Sequence, residues 1–188
     1  MTVALEGGGT LPSEFRQRCE AIATDLRYAL GKQAFNPLLA DDLATHLSAR
    51  ILTPADVPHL PAEHVSELLA STAWSAAILV REPLVIMFNP AHSPARRESN
   101  LMHEFAHVLL KHPPAQIDPA THLPARVRYL EREAEYLGAC LQLPRRALWW
   151  AQQTGLDVTA TARIFRASEE MVRYRARIHH VQLLSTST

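Results

Sequence analysis

Apolar residues recur at three- and four-residue steps through most of the chain, and Phe15, Cys19, Ile22, Leu26 and Leu30 open the series. That spacing is one face of an α-helix, and Gly31 suits its C-terminal cap. Asn36-Pro37 then offers an N-cap and a first-turn proline for a second helix to about residue 50, with Leu39, Leu43 and Leu47 on its apolar face. A third helix is expected over 61–70. The pattern changes after Trp74, where 76–80 and 84–88 are continuous apolar runs on either side of Arg81-Glu82-Pro83. They read as two short strands around a turn, with Ile51-Leu52 a minor third. Ser93-Pro94 has the form of a cap and first turn for a helix reaching about Lys111. The stretch 113–124 holds four prolines and reads as a loop. Helical spacing resumes over 126–143 and 145–153, and ends in two short helices over 158–165 and 168–180.

These elements predict an α+β fold, mostly helical with one small β-sheet and a C-terminal helix-turn-helix-like segment. Residues 1–12, with Gly7-Gly8-Gly9, and the polar tail 185–188 are expected to be flexible. A chain of 188 residues with 47% apolar and 20% charged residues can bury a core. Its formal net charge is zero, so bulk electrostatics favour neither nucleic acid nor a membrane surface. Cys19 and Cys140 fall on apolar helical stripes and read as small core residues rather than as a disulfide or metal pair. Neither a secretory signal nor a run of the ~20 apolar residues that cross a bilayer is visible. The expected location is cytoplasmic.

One stretch changes this picture. His103-Glu104-Phe105-Ala106-His107 is an H-E-x-x-H sequence inside a helix. Residues four apart share a helix face, so His103 and His107 can turn two imidazoles toward one ion. Glu104, one residue round, can take a proton from a water there and pass it to a leaving amine. Leu101, Met102, Phe105, Val108, Leu109 and Leu110 make the helix apolar on most sides. Unpartnered histidines and a glutamate in such a helix would be costly, which favours ligation over chance. A catalytic zinc takes three protein ligands and keeps one position open. The helix after the proline loop offers Glu131, Glu133 and Glu135. Against the stripe of Val127, Leu130, Ala134, Leu137 and Leu141, Glu133 lies nearest the centre and is the expected third ligand. Two histidines and a carboxylate also accept manganese or iron. Of the other candidates, His112 is close enough to the motif to back a ligand or line the cleft, but a solvated helix end is the expectation, and His92 and His122 are expected in loops. Tyr129 and Tyr136 flank the glutamates, with packing their expected role.

Taken together these residues resemble the ImmA/IrrE family of metallopeptidases, over about 15–180. The similarity rests on Ile86-Met87-Phe88-Asn89, on Arg96-Arg97-Glu98 leading into His103 to His107, and on Val108-Leu109-Leu110-Lys111-His112 after it. It rests also on Glu133-Ala134 followed by Cys140-Leu141-Gln142-Leu143-Pro144, a match that again selects Glu133. The family often has Asn after Glu-Ala, where this chain has Glu135. The resemblance implies a metallopeptidase-like domain over 13–155, with 156–184 a small helical segment packed on it. It further implies a zinc-dependent endopeptidase that cleaves a helix-turn-helix repressor in a stress or mobile-element response.

The segment 160–175 itself looks like a helix-turn-helix, with Ser168 capping the second helix and Glu169 and Glu170 in its first turn. Carboxylates there oppose phosphate, since a recognition helix offers its N-terminal residues to the bases. Packing on the core is therefore favoured over direct DNA binding. Two alternatives to the peptidase stay open: a metal-binding regulator that holds its partner without proteolysis, and a DNA-binding regulator using these last helices. If the first reading holds, the exposed edge of the small sheet is expected to take an extended peptide by strand addition.

Overall fold

The structure is a computed structural model that describes residues 11–117, 124–125 and 127–184. The expected flexible ends, up to residue 10 and from 185, and the loop residue His122 lie outside the described residues. In chain order come α1 (Ser13–Ala29), α2 (Ala40–His46), β1 (Arg50–Leu52), a 3-10 turn at Pro54–Asp56 and α3 (Ala62–Ala70). Next are β2 (Ala76–Arg81), β3 (Leu84–Phe88), α4 (Pro94–Leu109), β4 (Gln116–Ile117) and β5 (Pro124–Ala125). The chain closes with α5 (Arg128–Gln142), α6 (Arg145–Gln153), α7 (Val158–Ile164) and α8 (Glu169–Ile178). The fold is α+β and mostly helical, with a small sheet. Among the described residues no helix is long and apolar enough to cross a membrane.

Most elements stand where the apolar spacing puts them, and two do not. The second helix starts at Ala40 rather than at Pro37. Asn36 is spent on a turn, its side-chain oxygen accepting from the Gln33 N–H at 2.7 Å and its carbonyl accepting from Arg27 Nε at 2.7 Å. Asp42 does the capping instead, accepting from the Leu39 N–H at 2.9 Å. The helix also stops early, and Arg50 to Leu52 pair in parallel with β3. The proline-rich stretch 113–124 was expected to be plain loop, yet its two ends pair as the antiparallel ribbon β4–β5, Gln116 opposite Ala125. Pro124 is tolerated there because a two-stranded ribbon leaves one side of each strand unpaired.

The sheet has the order β1-β3-β2, so β3 is central and β2 an edge strand. Ile51 and Ile78 both register with Ile86, which is fully buried. An irregularity between Ile78 and Val80 breaks the β2 register. Where β3 ends, Asn89 ties down the loop before β2, donating from its amide to the Ser71 and Trp74 carbonyls at 2.7 and 3.1 Å. Ser93 caps α4 as expected, accepting from the Arg96 N–H, with Pro94 at the first position.

The main core joins α1, α2, the sheet, α4 and α5 through Cys19, Leu43, Ile86, Leu101, Phe105, Leu137 and Leu141. A second cluster holds the last three helices through Leu148, Phe165 and Val172. Helices α4 and α5 approach closely because position 138 is glycine. A Cβ there would stand 3.2 Å from backbone atoms of Met102 and His103, so a side chain would push the helices apart. The C-terminal carbonyls of α5 meet Pro144, which has no N–H to give back. Two wholly buried arginines supply donors instead. Arg27 of α1 donates to the Leu141 carbonyl at 2.8 Å, and Arg175 of α8 to the Leu143 carbonyl at 2.9 Å.

Candidate metal centre

His103 and His107 lie one turn apart on α4, with their Nε2 atoms 3.1 Å from each other. The carboxylate that meets them belongs to Glu131. Its Oε2 is 3.4 Å from His103 Nε2 and its Oε1 3.6 Å from His107 Nε2. All three side chains are partly buried, between 14% and 22% exposed. Ligand atoms about 2.05 Å from a tetrahedral ion stand about 3.3 Å apart. The three observed separations bracket that value, and two imidazoles with one carboxylate are a donor set that zinc accepts. The residues present fit a divalent metal.

Glu133, the glutamate expected at this position, is elsewhere. Its Oε2 lies 3.2 Å from Nε2 of His112. The α4-facing side of α5 explains the exchange. Gly138 faces His103 directly, and Glu131 is seven residues before it, only about 20° round the helix. Glu133 is five residues from Gly138, about 140° round at 100° per residue. The apolar stripe pointed between two neighbours, because α5 packs on α1 as well as on α4. Its centre is therefore not the direction of the histidines.

His112 also departs from expectation. It is 6% exposed rather than solvated, and its Nδ1 lies 3.0 Å from Nδ1 of His107. A row of side chains thus runs from His103 through His107 and His112 to Glu133. Glu104 follows His103 on α4 and is partly buried. Tyr129 is 61% exposed, while Tyr136 packs on Phe15 and beneath Arg175. Burial, with nearby Cys140, pushes the Tyr136 hydroxyl up to about 12. His92 is hydrogen-bonded to Asn100, Nδ1 to Nδ2, at 3.2 Å.

With this geometry in view, the match to known families becomes specific. The IrrE N-terminal-like domain, that of peptidase family M78, matches residues 62–177, more than half of the chain and all of α4 and α5. The chain belongs to this family. An M78 member is of the metallopeptidase type, and the matched stretch includes the two helices that carry His103, His107 and Glu131. A solved structure of a Mycobacterium tuberculosis transcriptional regulator is similar in fold, with a TM-score of 0.53 and 15% identity. The similarity covers 87% of this chain and 47% of that one, so the chain spans about half the length of that protein. No curated protein matches the chain.

Around the centre the charges are held by hydrogen bonds. Glu98, one turn before Met102 on α4, is buried and accepts from the Ala40 N–H at the start of α2. Burial raises its carboxyl above the usual range, against the pull of that hydrogen bond. Ser99 donates to Gln142 Oε1 at 2.8 Å, and Gln142 donates on to the Arg166 carbonyl. These links fix α4 against α2 on one side and against the end of α5 on the other.

Proposed function

We propose that this M78 member is a metal-dependent endopeptidase in which His103, His107 and Glu131 hold a zinc ion, with Glu104 as general base and acid. The convergence of two imidazoles and one carboxylate from two tightly packed helices carries this reading. A zinc ion bound there would supply Lewis acidity, polarising the scissile carbonyl and making water acidic enough to attack at neutral pH. The protein's own part follows from the helix. Glu104 stands one residue round from His103, where its carboxylate takes the proton of the attacking water. The same carboxyl then delivers that proton to the amine nitrogen as the peptide bond breaks. Beside α4, strand β2 has no partner on its outer edge among the described residues. Leu79 and Val80 there are 43% and 45% exposed, which suits an extended peptide pairing with that edge.

The substrate proposed is a helix-turn-helix repressor, on the family resemblance. Direct DNA binding by α7 and α8 is disfavoured by where two of their arginines go, while Arg163 and Arg177 stay exposed. Arg175 is buried against Glu20, and Arg173 is paired with Glu169 at 2.6 Å. Metal analysis of the purified protein tests the site first. About one zinc per chain is expected in the wild type and a loss of it in His103→Ala and Glu131→Ala. Glu104→Gln is then expected to keep the metal and to lose cleavage of a repressor substrate. A wild type that cannot be loaded with metal sinks the proposal, and cleavage that survives in Glu104→Gln removes Glu104 from its role.

A further inference from the structure

We infer that His112 and Glu133 are a positioning relay that sets which ring nitrogen of His107 faces the centre. The inference rests on the reading of His107 as a metal ligand and deepens it. An ionised carboxylate only accepts hydrogen bonds, so Glu133 requires a donor at His112 Nε2, 3.2 Å away. A neutral imidazole that donates from Nε2 has a bare Nδ1. That Nδ1 lies 3.0 Å from His107 Nδ1, which must then carry the hydrogen. His107 Nε2 is left with its lone pair, and it is Nε2 that stands beside His103 Nε2 and Glu131. Every bond in the row has one direction once Glu133 is charged and His112 is neutral, and the direction ends in a ligand-ready nitrogen. Carboxylate-backed histidines in metal sites work in this way, here with a second imidazole between the two.

The backbone holds His112 where the relay needs it. Lys111, just past α4, has φ of 57°, a left-handed conformation costly for any residue but glycine. The Lys111 N–H donates to the Val108 carbonyl and the His112 N–H to the His107 carbonyl, both at 3.0 Å, the paired bonds of a Schellman cap. The chain therefore doubles back, and the His112 ring lands edge-on against the His107 ring, centroids 5.0 Å apart. Its side chain is 5% exposed, so water does not compete with Glu133 for its Nε2. The same left-handed cap closes α2, α7 and α8 at Ser48, Arg166 and His180, so the cap supplies the turn and the identity of residue 112 supplies the contact.

The test reads the ring-nitrogen ¹⁵N shifts of His107 by NMR in metal-free and zinc-loaded full-length protein, and zinc affinity by chelator competition. Wild type, Glu133→Ala, Glu133→Gln, His112→Ala and Glu131→Ala are compared, with thermal melts alongside. Wild-type His107 is expected to carry its hydrogen on Nδ1 with and without zinc. In Glu133→Ala and His112→Ala that preference is lost and zinc affinity falls roughly 10–100-fold. Glu133→Gln, whose amide oxygen can still accept from His112, is expected to retain the tautomer and most of the affinity. A wild-type His107 protonated on Nε2 overturns the relay, and this arm needs no variant to fold. Unchanged tautomer and affinity in a folded Glu133→Ala also overturn it. If zinc fails to bind wild type and Glu131→Ala alike while Glu133→Ala still shifts the tautomer, the metal reading fails and the relay stands.

Discussion

Glu98 is a carboxyl with a structural task a single turn before the H-E-x-x-H sequence, and its two obvious substitutions separate charge from hydrogen bonding. Its oxygen accepts the Ala40 N–H that opens α2, and burial already works against its charged form. Glu98→Gln keeps an acceptor at that place and is expected to leave stability within ~1 kcal/mol of wild type. Glu98→Ala strands a buried N–H and is expected to cost about 1–3 kcal/mol, read as a lower urea midpoint at unchanged slope. Equal losses in the two variants would show that charge, not the acceptor, is what matters. At the same scale the shared face of His103 and His107, with Glu104 one residue round, could be read from five residues of sequence, because helical spacing alone sets it. Glu131 could not. Choosing it over Glu133 requires knowing which side of α5 faces α4, and the apolar stripe reports the sum of all α5 neighbours. The signal that finds it is the glycine at 138, whose seven-residue offset points at Glu131.

The pairing of α4 with α5 is what turns two periodic helices into a site. Gly138→Ala is predicted to force a separation, since the added methyl meets backbone rather than a yielding side chain. The expected cost is about 1–3 kcal/mol of stability, with weaker zinc binding because His103 is the residue displaced. Denaturation and chelator competition check both parts. A variant as stable as wild type, with unchanged affinity, would show that the helices can part freely. Long, strongly periodic elements such as α1, α4 and α5 were readable from the sequence, as was the hairpin of β2 and β3. The start of α2 was not, because Asn36 and Pro37 have the residue types of a cap while Arg27, nine residues earlier, claims the Asn36 carbonyl. The ribbon β4–β5 was hidden for the opposite reason: its residues have no strand pattern and their pairing is with each other across a gap in sequence.

No local pattern marks Glu20, yet α1, α5, α6 and α8 meet at its carboxylate. It accepts from Arg175 of α8, from the Arg145 N–H at the start of α6, and from Cys140 of α5. His179, just beyond α8, lies 3.1 Å from the same oxygen. Its partners are 120 to 159 residues away in the chain, which is why a reading along the sequence passes over it. Burial alone would raise the Glu20 carboxyl, but the neighbouring His179, the Arg175 charge and the Arg145 N–H together hold it down to about 2. Its ordinary value is 4.5, so the folded state binds the proton more weakly than the unfolded state. The stabilisation is then present above pH 4.5 and fades as pH falls from there toward 2, on the order of 3 kcal/mol in all. Glu20→Gln is accordingly expected to be less stable than wild type at pH 7, with the difference shrinking below pH 4.5 and closing as pH nears 2. Urea titrations of both proteins across that range, with a chelator present so that metal release adds nothing, give the comparison directly. Curves that stay parallel down to pH 3 would mean that the four helices are held together by packing and the buried arginines, without the charge of Glu20.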